Sequence, residues 1–177
     1  RFLFMARLHH KKGILPLVQG WLLSSLANTS NFELVIAGPD DGELVHIESL
    51  IEQCQNITYL GAVYGEDKEN LLMSSHIYVL PSYSEGFPSS VLEAMDFGLL
   101  PLISEGCNFP EAFENKHVVS LEPNATEISK TLVEISEWPL QTIIEKGIAA
   151  KEFVAHNYTN DIVTNQLYAL AQEFIKP

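Results

Sequence analysis

A chain of 177 residues with 46% hydrophobic and 19% charged residues has the length and composition of one globular domain. Its formal net charge of −13 argues against general binding to nucleic acid or to anionic lipid surfaces, because both are themselves negatively charged. No apolar run approaches the roughly 18–20 residues that a membrane-spanning helix requires. The two cysteines, Cys54 and Cys107, have no metal-ligand spacing and favour a reducing compartment.

Short apolar segments alternate with segments of helical spacing along the chain. The order begins with the strand-like run "FLFMA", a polar turn "RLHHKKG" and a helix, and then repeats. Strands are predicted at 2–6, 32–38, 57–61, 77–82, 100–104 and 117–123. Helices are predicted at 14–27, 43–55, 66–75, 89–97, 128–136, about 140–156 and 161–175. Asn124 and Glu127 have the spacing of a capping box before the 128–136 helix.

This alternation predicts an α/β fold in which right-handed βαβ units form a doubly wound, Rossmann-like parallel sheet. Nothing in the sequence indicates a linker or a repeat, so residues 1–177 are interpreted as a single domain. Sheets of this kind bind ligands at the carboxyl ends of their strands, near the point where the strand order reverses. The candidate site therefore lies in the loops at 7–13, 38–42, 61–66, 82–90 and 104–110.

Positive charge is concentrated at the start of this acidic chain. Arg1, Arg7, Lys11 and Lys12 are four of its ten lysines and arginines. Arg7 and Lys12 flank the first strand–helix turn, which lies at the predicted ligand edge if the first strand is central. A guanidinium and an ammonium group there are suited to phosphate oxygens. Arg1 and Lys11 are interpreted as solvated.

The turn "SEGFPSSVLE" carries the second candidate group. Gly86 and Pro88 shape a tight loop, and Ser89 and Ser90 begin the next helix, whose free N–H groups and dipole favour an anion. Glu85 and Glu93 cannot bind phosphate themselves, because carboxylate and phosphate repel each other. Carboxylates do accept hydrogen bonds from hydroxyls, so the two glutamates suit a ligand that has a sugar on either side of its phosphate. The competing interpretation of Glu93 is a capping box with Ser90.

"ARLHHKKG" followed by "EGFPSSVLEAMDFG" resembles the donor-binding domain of retaining glycosyltransferases of family 4, also called glycosyl transferase group 1. "LVIAG", "ITYLGAV", "IYVLPS", "PLIS" and "PEAF" occur in the order expected for that family, and the resemblance covers essentially the whole chain. It implies the C-terminal half of a two-domain GT-B architecture. One departure is Cys107-Asn108, where the family more usually has Gly-Gly.

The resemblance implies a role for each site residue. Arg7 and Lys12 would bind the donor diphosphate, and the amides near Ser89 and Ser90 the distal phosphate. Glu93 would accept hydrogen bonds from ribose hydroxyls, and Glu85 from hydroxyls of the transferred sugar. The base of the nucleotide would lie near the main chain of Val63. The residues that would position the sugar are Gly86, Phe87 and Pro88.

The resemblance also implies the reaction. It predicts transfer with retained anomeric configuration, without a metal or a cofactor, from a nucleoside-diphosphate sugar. UDP is the first expectation for its nucleotide and GDP the second. The acceptor, a sugar or a lipid-linked sugar, would bind an N-terminal domain that this chain lacks, so the chain alone is expected to transfer little. Bacterial surface polysaccharide or glycolipid synthesis in the cytoplasm, at or near the inner membrane face, is the expected setting.

Three alternatives belong to other functional classes. A nicotinamide-dependent dehydrogenase requires Gly-x-Gly-x-x-Gly after the first strand, whereas "ARLHHKKGI" has one glycine. A nucleotide-sugar epimerase shares the GT-B architecture and would convert a donor without an acceptor. A non-catalytic Rossmann-like binding module would not bind nucleotides.

Overall fold

The structure is a computed structural model that describes residues 1–158. Within these residues six parallel strands form one sheet in the order β3-β2-β1-β4-β5-β6. The strands are β1 (Phe2–Met5), β2 (Leu34–Ala37), β3 (Ile57–Tyr59), β4 (Ile77–Leu80), β5 (Leu100–Ile103) and β6 (Val119–Ser120). This order and the flanking helices confirm the predicted doubly wound fold.

In the described part of the chain, seven α-helices connect or follow these strands. They are α1 (Ile14–Leu23), α2 (Leu44–Glu52), α3 (Gly65–Met73), α4 (Ser89–Asp96), α5 (Pro110–Glu114), α6 (Ala125–Ser136) and α7 (Leu140–Asn157). The short helix α5 was not predicted, and the helix predicted at 161–175 lies outside the described residues. None of the helices described here is long and apolar enough to cross a membrane.

The central strands form the middle of the hydrophobic core. All four residues of β1, β2, β4 and β5 are buried, as expected for parallel strands covered on both faces. On one face α1 packs closely on α6. Gly20 of α1 permits this contact because it has no side chain, and a Cβ atom there would overlap the side chain of Ile128. Across from it, Gly147 of α7 approaches the main chain at Gly98 equally closely.

Several predicted boundaries differ from the observed ones, and two of the differences have a local cause. The helix predicted at 14–27 ends at Leu23, because Ser24 caps a separate 3₁₀ turn at Ser25–Asn28 through a hydrogen bond from the Leu26 N–H to its hydroxyl. The strand predicted at 117–123 forms only at Val119–Ser120, which pairs with β5 and with no other strand among residues 1–158. A prolyl residue at 123 has no N–H for a strand ladder and is consistent with this early end.

The predicted capping box before α6 forms only in part. Asn124 is the N-cap, and its side chain accepts a hydrogen bond from the Glu127 N–H at 3.0 Å. The reciprocal bond of a capping box, from the Asn124 N–H to the Glu127 carboxylate, does not form. The Asn124 N–H donates to the Glu122 carbonyl instead, and the Glu127 carboxylate pairs with Lys130 at 2.6 Å. An exposed lysine one turn further along the helix is therefore the partner of this glutamate.

Candidate functional site

The strand order reverses between β1 and β4, so the turns that follow these two strands border one crevice. The turn after β1 includes a 3₁₀ turn at His10–Lys12 and Gly13, which has a φ of 69°. A Cβ atom on Gly13 would overlap the carbonyl group of Pro81 at the end of β4. Glycine is required here because the two main chains touch.

Hydrogen bonds hold the two turns together. The Lys11 carbonyl oxygen accepts bonds from the Ser82 hydroxyl at 2.8 Å and from the Tyr83 N–H at 2.7 Å. The loop after β5 adds a third contact, since the Glu85 N–H donates to the Gly106 carbonyl at 2.8 Å. Residues that are about 70 positions apart in the sequence are thereby fixed beside each other.

Lys12 and Glu85 meet at this junction. The Lys12 Nζ lies 2.7 Å from each carboxylate oxygen of Glu85, and the two side chains are only 19% and 10% exposed. The sequence predicted that each residue would contact a ligand but did not predict that they would contact each other. In this protected position a lone lysine or glutamate would be costly, so each charge compensates the other.

A cavity of about 520 Å³ opens at the carboxyl ends of β1 and β2. It brings together five of the predicted site residues, but Lys12, Glu85, Gly86, Phe87 and Pro88 lie outside its lining. Four of the five predicted loops are close to it, whereas the loop at 104–110 borders a separate cavity of about 330 Å³. The larger cavity is lined by Met5, Ala6, Arg7, Ala37, Gly38, Pro39, Ala62, Val63, Tyr64, Lys68, Ser89, Ser90 and Glu93.

Arg7 lines this cavity from an exposed position in which it is paired with an acidic side chain. Its side chain is 65% exposed, and Nη1 lies 2.7 Å from Oδ2 of Asp41. The neighbouring Asp40 is committed to the backbone, because its Oδ1 accepts bonds from the N–H groups of Gly42, Glu43 and Leu44. These bonds, above all the one from Leu44, hold the pKa of Asp40 below its ordinary value.

The start of α4 borders the opposite side of the cavity lining. Pro88 is the N-cap and has no side chain that could accept a hydrogen bond. The Ser89 N–H was predicted to be free, but it donates to the Phe87 carbonyl at 2.9 Å. Within residues 1–158 the Ser90 N–H has no acceptor, and it remains the amide at this helix start that can bind an anion.

The capping-box interpretation of Glu93 was wrong. Ser90 is the second residue of α4 and not its N-cap, and no side chain of residues 1–158 caps the start of this helix. The Glu93 carboxylate instead pairs with Lys68 of α3, whose Nζ lies 2.5 Å from Oε1. Sequence reasoning missed Lys68 because it lies in an acidic, polar helix where a lysine is ordinarily solvated.

Tyr78 forms a buried support beneath the site. Its side chain is fully buried in β4, and its hydroxyl donates to the Met5 carbonyl of β1 at 2.9 Å. Burial raises the pKa of Tyr78 far above its ordinary value, and the Ser90 hydroxyl partly opposes this effect. The phenol therefore stays protonated and ties the two strands of the crevice together.

The Cys107-Asn108 departure fits the local backbone. Asn108 has a φ of 53°, a left-handed conformation that asparagine adopts more readily than most residues other than glycine, and its side chain donates to the Gly86 carbonyl at 3.4 Å. Cys107 is fully buried, and burial raises its pKa to about 11. Among residues 1–158 no group of three His, Cys, Asp or Glu side chains could hold a metal ion.

A family model described as "Glycosyl transferases group 1" matches residues 1–147. The chain belongs to this family. The resemblance of its motifs is thereby confirmed, and the protein is a member of a family of glycosyltransferases.

Two curated relatives are similar over nearly the whole chain. The "O-antigen chain mannosyltransferase B" of Escherichia coli is 28% identical over 91% of this chain and 44% of its own length. The "N,N'-diacetylbacillosaminyl-diphospho-undecaprenol alpha-1,3-N-acetylgalactosaminyltransferase" of Campylobacter jejuni is 30% identical over 98% of this chain and 45% of its own length. The chain thus spans less than half the length of these relatives.

Solved structures of other glycosyltransferases share the fold. The C-terminal domain of a glycosyl transferase group 1 family protein from Francisella tularensis has a TM-score of 0.78 at 17% identity, covering 90% of this chain and 86% of that one. Anabaena HepE in complex with UDP and glucose also has a TM-score of 0.78, at 18% identity over 98% of this chain and 48% of its own. These likenesses support the Rossmann-like half of a GT-B architecture.

Proposed function

We propose that this chain is the donor-binding half of a glycosyltransferase and binds a nucleoside-diphosphate sugar at the crevice between β1 and β4. The observation that carries the proposal is the joint lining of one cavity by Arg7, Ser90 and Glu93. A cation, a free helix amide and a carboxylate at one strand-order reversal are the groups that a diphosphate and an adjoining sugar require.

In the proposed complex Arg7 and Lys12 bind the diphosphate, and Ser89 and Ser90 border its distal phosphate. For this contact Arg7 exchanges its exposed Asp41 partner for phosphate oxygens. An exposed pair of this kind contributes little stability, so the exchange costs little.

The nucleoside and the transferred sugar take up the two ends of the proposed site. Glu93 accepts hydrogen bonds from the ribose, and the base lies along the main chain near Val63, which also lines the cavity. Glu85 receives the hydroxyls of the transferred sugar, while Gly86, Phe87 and Pro88 form the wall beside it. Phe87 is 61% exposed, which leaves its ring accessible to a ligand.

The Lys12–Glu85 pair is the proposed resting state of this site. Without a bound sugar donor, each group compensates the charge of the other in a largely buried position. When the donor binds, the ammonium group turns to a phosphate oxygen and the carboxylate turns to sugar hydroxyls. Both groups keep a hydrogen-bonding partner throughout, so neither charge is left buried and unpaired.

The proposed chemistry is electrostatic. Cleavage at the anomeric carbon places negative charge on the departing diphosphate and positive character on the sugar ring. Arg7, Lys12 and the α4 amide stabilise the diphosphate, and loss of one such preorganised donor typically lowers turnover about 100–1000-fold. We propose that transfer retains the anomeric configuration and that these cations serve in place of a metal.

The proposed donor nucleotide is UDP first and GDP second. The UDP found with the Anabaena neighbour supports that order. The names of the two curated relatives support a sugar or lipid-linked acceptor in surface polysaccharide or glycolipid synthesis. We propose the cytoplasmic side of the membrane as the setting. Because those relatives are about twice as long, we further propose that a separate N-terminal domain binds the acceptor and that residues 1–177 form one domain.

Calorimetry on the 177-residue chain with UDP and GDP tests the proposal. One of the two is expected to bind, and Arg7→Ala is expected to weaken that binding about tenfold or more, because a charged contact to phosphate is lost. Lys130→Ala removes one positive charge far from the cavity and is expected to leave affinity unchanged. Absence of binding by both nucleotides would overturn the proposal, as would rapid sugar transfer by this chain alone.

A further inference from the structure

Lys68 joins α3 to α4 at the wall of the cavity. Its ammonium group lies 2.5 Å from Oε1 of Glu93, and both side chains line the cavity about one-third exposed. Lys68 stands between Asp67 and Glu69 in the sequence, yet its partner is a carboxylate from another helix, 25 positions later. The pairing therefore results from tertiary structure, because two crossover helices meet at the same edge of the sheet.

The Lys68 pair solves an electrostatic problem at this position. Glu93 lies in the second turn of α4, near the Ser90 amide where a phosphate is proposed to bind. A free carboxylate there would repel the phosphate, since like charges oppose each other strongly in a partly desolvated cavity. The Lys68 ammonium cancels this charge locally and still leaves a carboxylate that can accept hydrogen bonds.

The pair also sets the orientation of the carboxylate. A glutamate side chain has several rotatable bonds and loses conformational freedom when it binds a ligand. Contact of Oε1 with Lys68 restricts that freedom before any ligand binds. A hydroxyl acceptor held in this way binds more tightly than a free one, because part of the ordering cost is already met.

We propose that Lys68 is a positioning residue of the nucleotide site and fixes Glu93 to receive the ribose hydroxyls. This inference rests on the proposed function. It adds a residue from outside the predicted loops and assigns to α3 a part in selecting nucleotides that carry a ribose diol.

The test compares UDP with 2′,3′-dideoxy-UDP, and GDP with its dideoxy analogue, by calorimetry on the 177-residue chain. The wild type is expected to prefer the ribonucleotide about tenfold or more, as hydrogen bonds to a charged acceptor allow. In Lys68→Met this preference is expected to shrink to about threefold or less. A general loss of positive charge would weaken both nucleotides equally, so the ratio isolates the hydroxyl contact.

Control variants complete the design. Lys68→Arg keeps a cation beside Glu93 and is expected to retain the preference. Lys130→Met breaks a comparable Lys–Glu pair on the exposed surface of α6 and is also expected to retain it. In a Glu93→Gln background, Lys68→Met should change the ratio no further, because the two residues act as a unit.

The failures of the two proposals are distinguishable. A wild-type chain that binds neither UDP nor GDP would overturn the proposed function and this inference with it. A wild type that binds one of them, together with a folded Lys68→Met variant that keeps the full ribose preference, would overturn the inference alone. Thermal unfolding of each variant verifies that it is folded.

Discussion

The two edges of the sheet each carry a cavity, and the larger one is not the candidate site. At the amino ends of β2 and β3 a cavity of about 920 Å³ is lined by polar groups around Asn56, whereas the cavity at the carboxyl ends measures about 520 Å³. Asn56 is fully engaged by the fold: its Nδ2 donates to the carbonyls of Leu26, Thr29 and Phe32 at 2.7–2.9 Å, and its Oδ1 accepts from Trp21.

The carboxyl edge is held by a different kind of interaction. Its charged side chains form the pairs Arg7–Asp41, Lys12–Glu85 and Lys68–Glu93. In the proposed complex the first two pairs exchange a partner for a ligand group, whereas Lys68 keeps Glu93 in place. The hydrogen bonds of the Asn56 side chain stabilise the fold, but they leave few polar groups that could bind a ligand. If the proposed function holds, charged partners that a ligand can replace, more than cavity size, distinguish the candidate binding edge from the structural edge.

The largest expected effect comes from removing the network at the amino edge. Asn56→Ala removes hydrogen bonds to three carbonyl groups, to the Trp21 N–H and to the Cys54 thiol. We expect the free energy of unfolding to fall by about 3 kcal/mol. Urea unfolding measures this change. The nucleotide affinity of the remaining folded protein should stay within about twofold of wild type.

Asn115→Ala is the matched control for Asn56. Asn115 makes one exposed hydrogen bond, from its Nδ2 to the Glu111 carbonyl at 2.7 Å. Its removal is expected to cost less than about 0.5 kcal/mol, as for most surface substitutions. A loss of nucleotide affinity in Asn56→Ala that matches its loss of stability would contradict the functional separation of the two edges.

An intermediate effect is expected from the Lys12–Glu85 pair. Lys12→Met leaves the Glu85 carboxylate partly buried without its cation, and we expect a loss of about 2 kcal/mol in unfolding free energy at pH 7. The double variant Lys12→Met/Glu85→Gln removes both charges and is expected to recover most of that stability. Both variants should bind nucleoside diphosphate about tenfold or more weakly, since neither supplies the ammonium group.

Urea unfolding at pH 7 and calorimetry together resolve the two contributions of this pair. Stability follows the balance of charge within the pair, whereas affinity follows the presence of Lys12. If the double variant were as unstable as Lys12→Met, charge compensation would not be the role of the contact. If Lys12→Met bound nucleotide as well as wild type, Lys12 would have no part in the diphosphate site.

The smallest effect concerns the two cysteines, which lie at opposite edges. Cys107 follows β5 and is fully buried with a pKa raised to about 11, so about one molecule in a thousand carries its thiolate at pH 8. Cys54 precedes β3 and is slightly exposed. We expect a thiol reagent at pH 8 to modify Cys54 first, and Cys107 only on unfolding.

Mass spectrometry of the modified peptides assigns the order, and Cys54→Ser provides the control. In that variant the native protein should show almost no rapid reaction. Because deprotonation is disfavoured in the folded state, the rate at Cys107 should rise as the pH approaches 11. Rapid modification of Cys107 at pH 8 would show that the loop at 104–108 opens readily.

Much of the fold was predictable because its signals are local. The buried strands are short apolar runs, and the order of strands and helices leaves few arrangements for a parallel sheet. The ends of elements were less predictable where a single contact decides them, as at Ser24. The edge strand β6 was overestimated because its apolar residues suggest a longer strand than its one neighbour supports.

The position of the candidate site could be predicted from the sequence, but the ion pairs between its charged side chains could not. The motifs at 7–13 and 85–93 indicate the edge and the charged residues, and topology then brings the two segments together. The partners of Lys12, Arg7 and Glu93 could not be predicted, because each contact joins residues 25 or more positions apart. Lys68 carries no local signal at all, since its neighbours are those of any solvated helix.

Three glycines around the crevice have a consequence for engineering. Side chains at Gly13, Gly38 and Gly106 would collide with main-chain atoms of the adjoining loops, so backbone rests directly on backbone at each point. A library that varies this region should hold those three codons constant and diversify positions 63, 64 and 68 instead. Substitutions at the latter would alter the walls of the pocket while its frame keeps its dimensions.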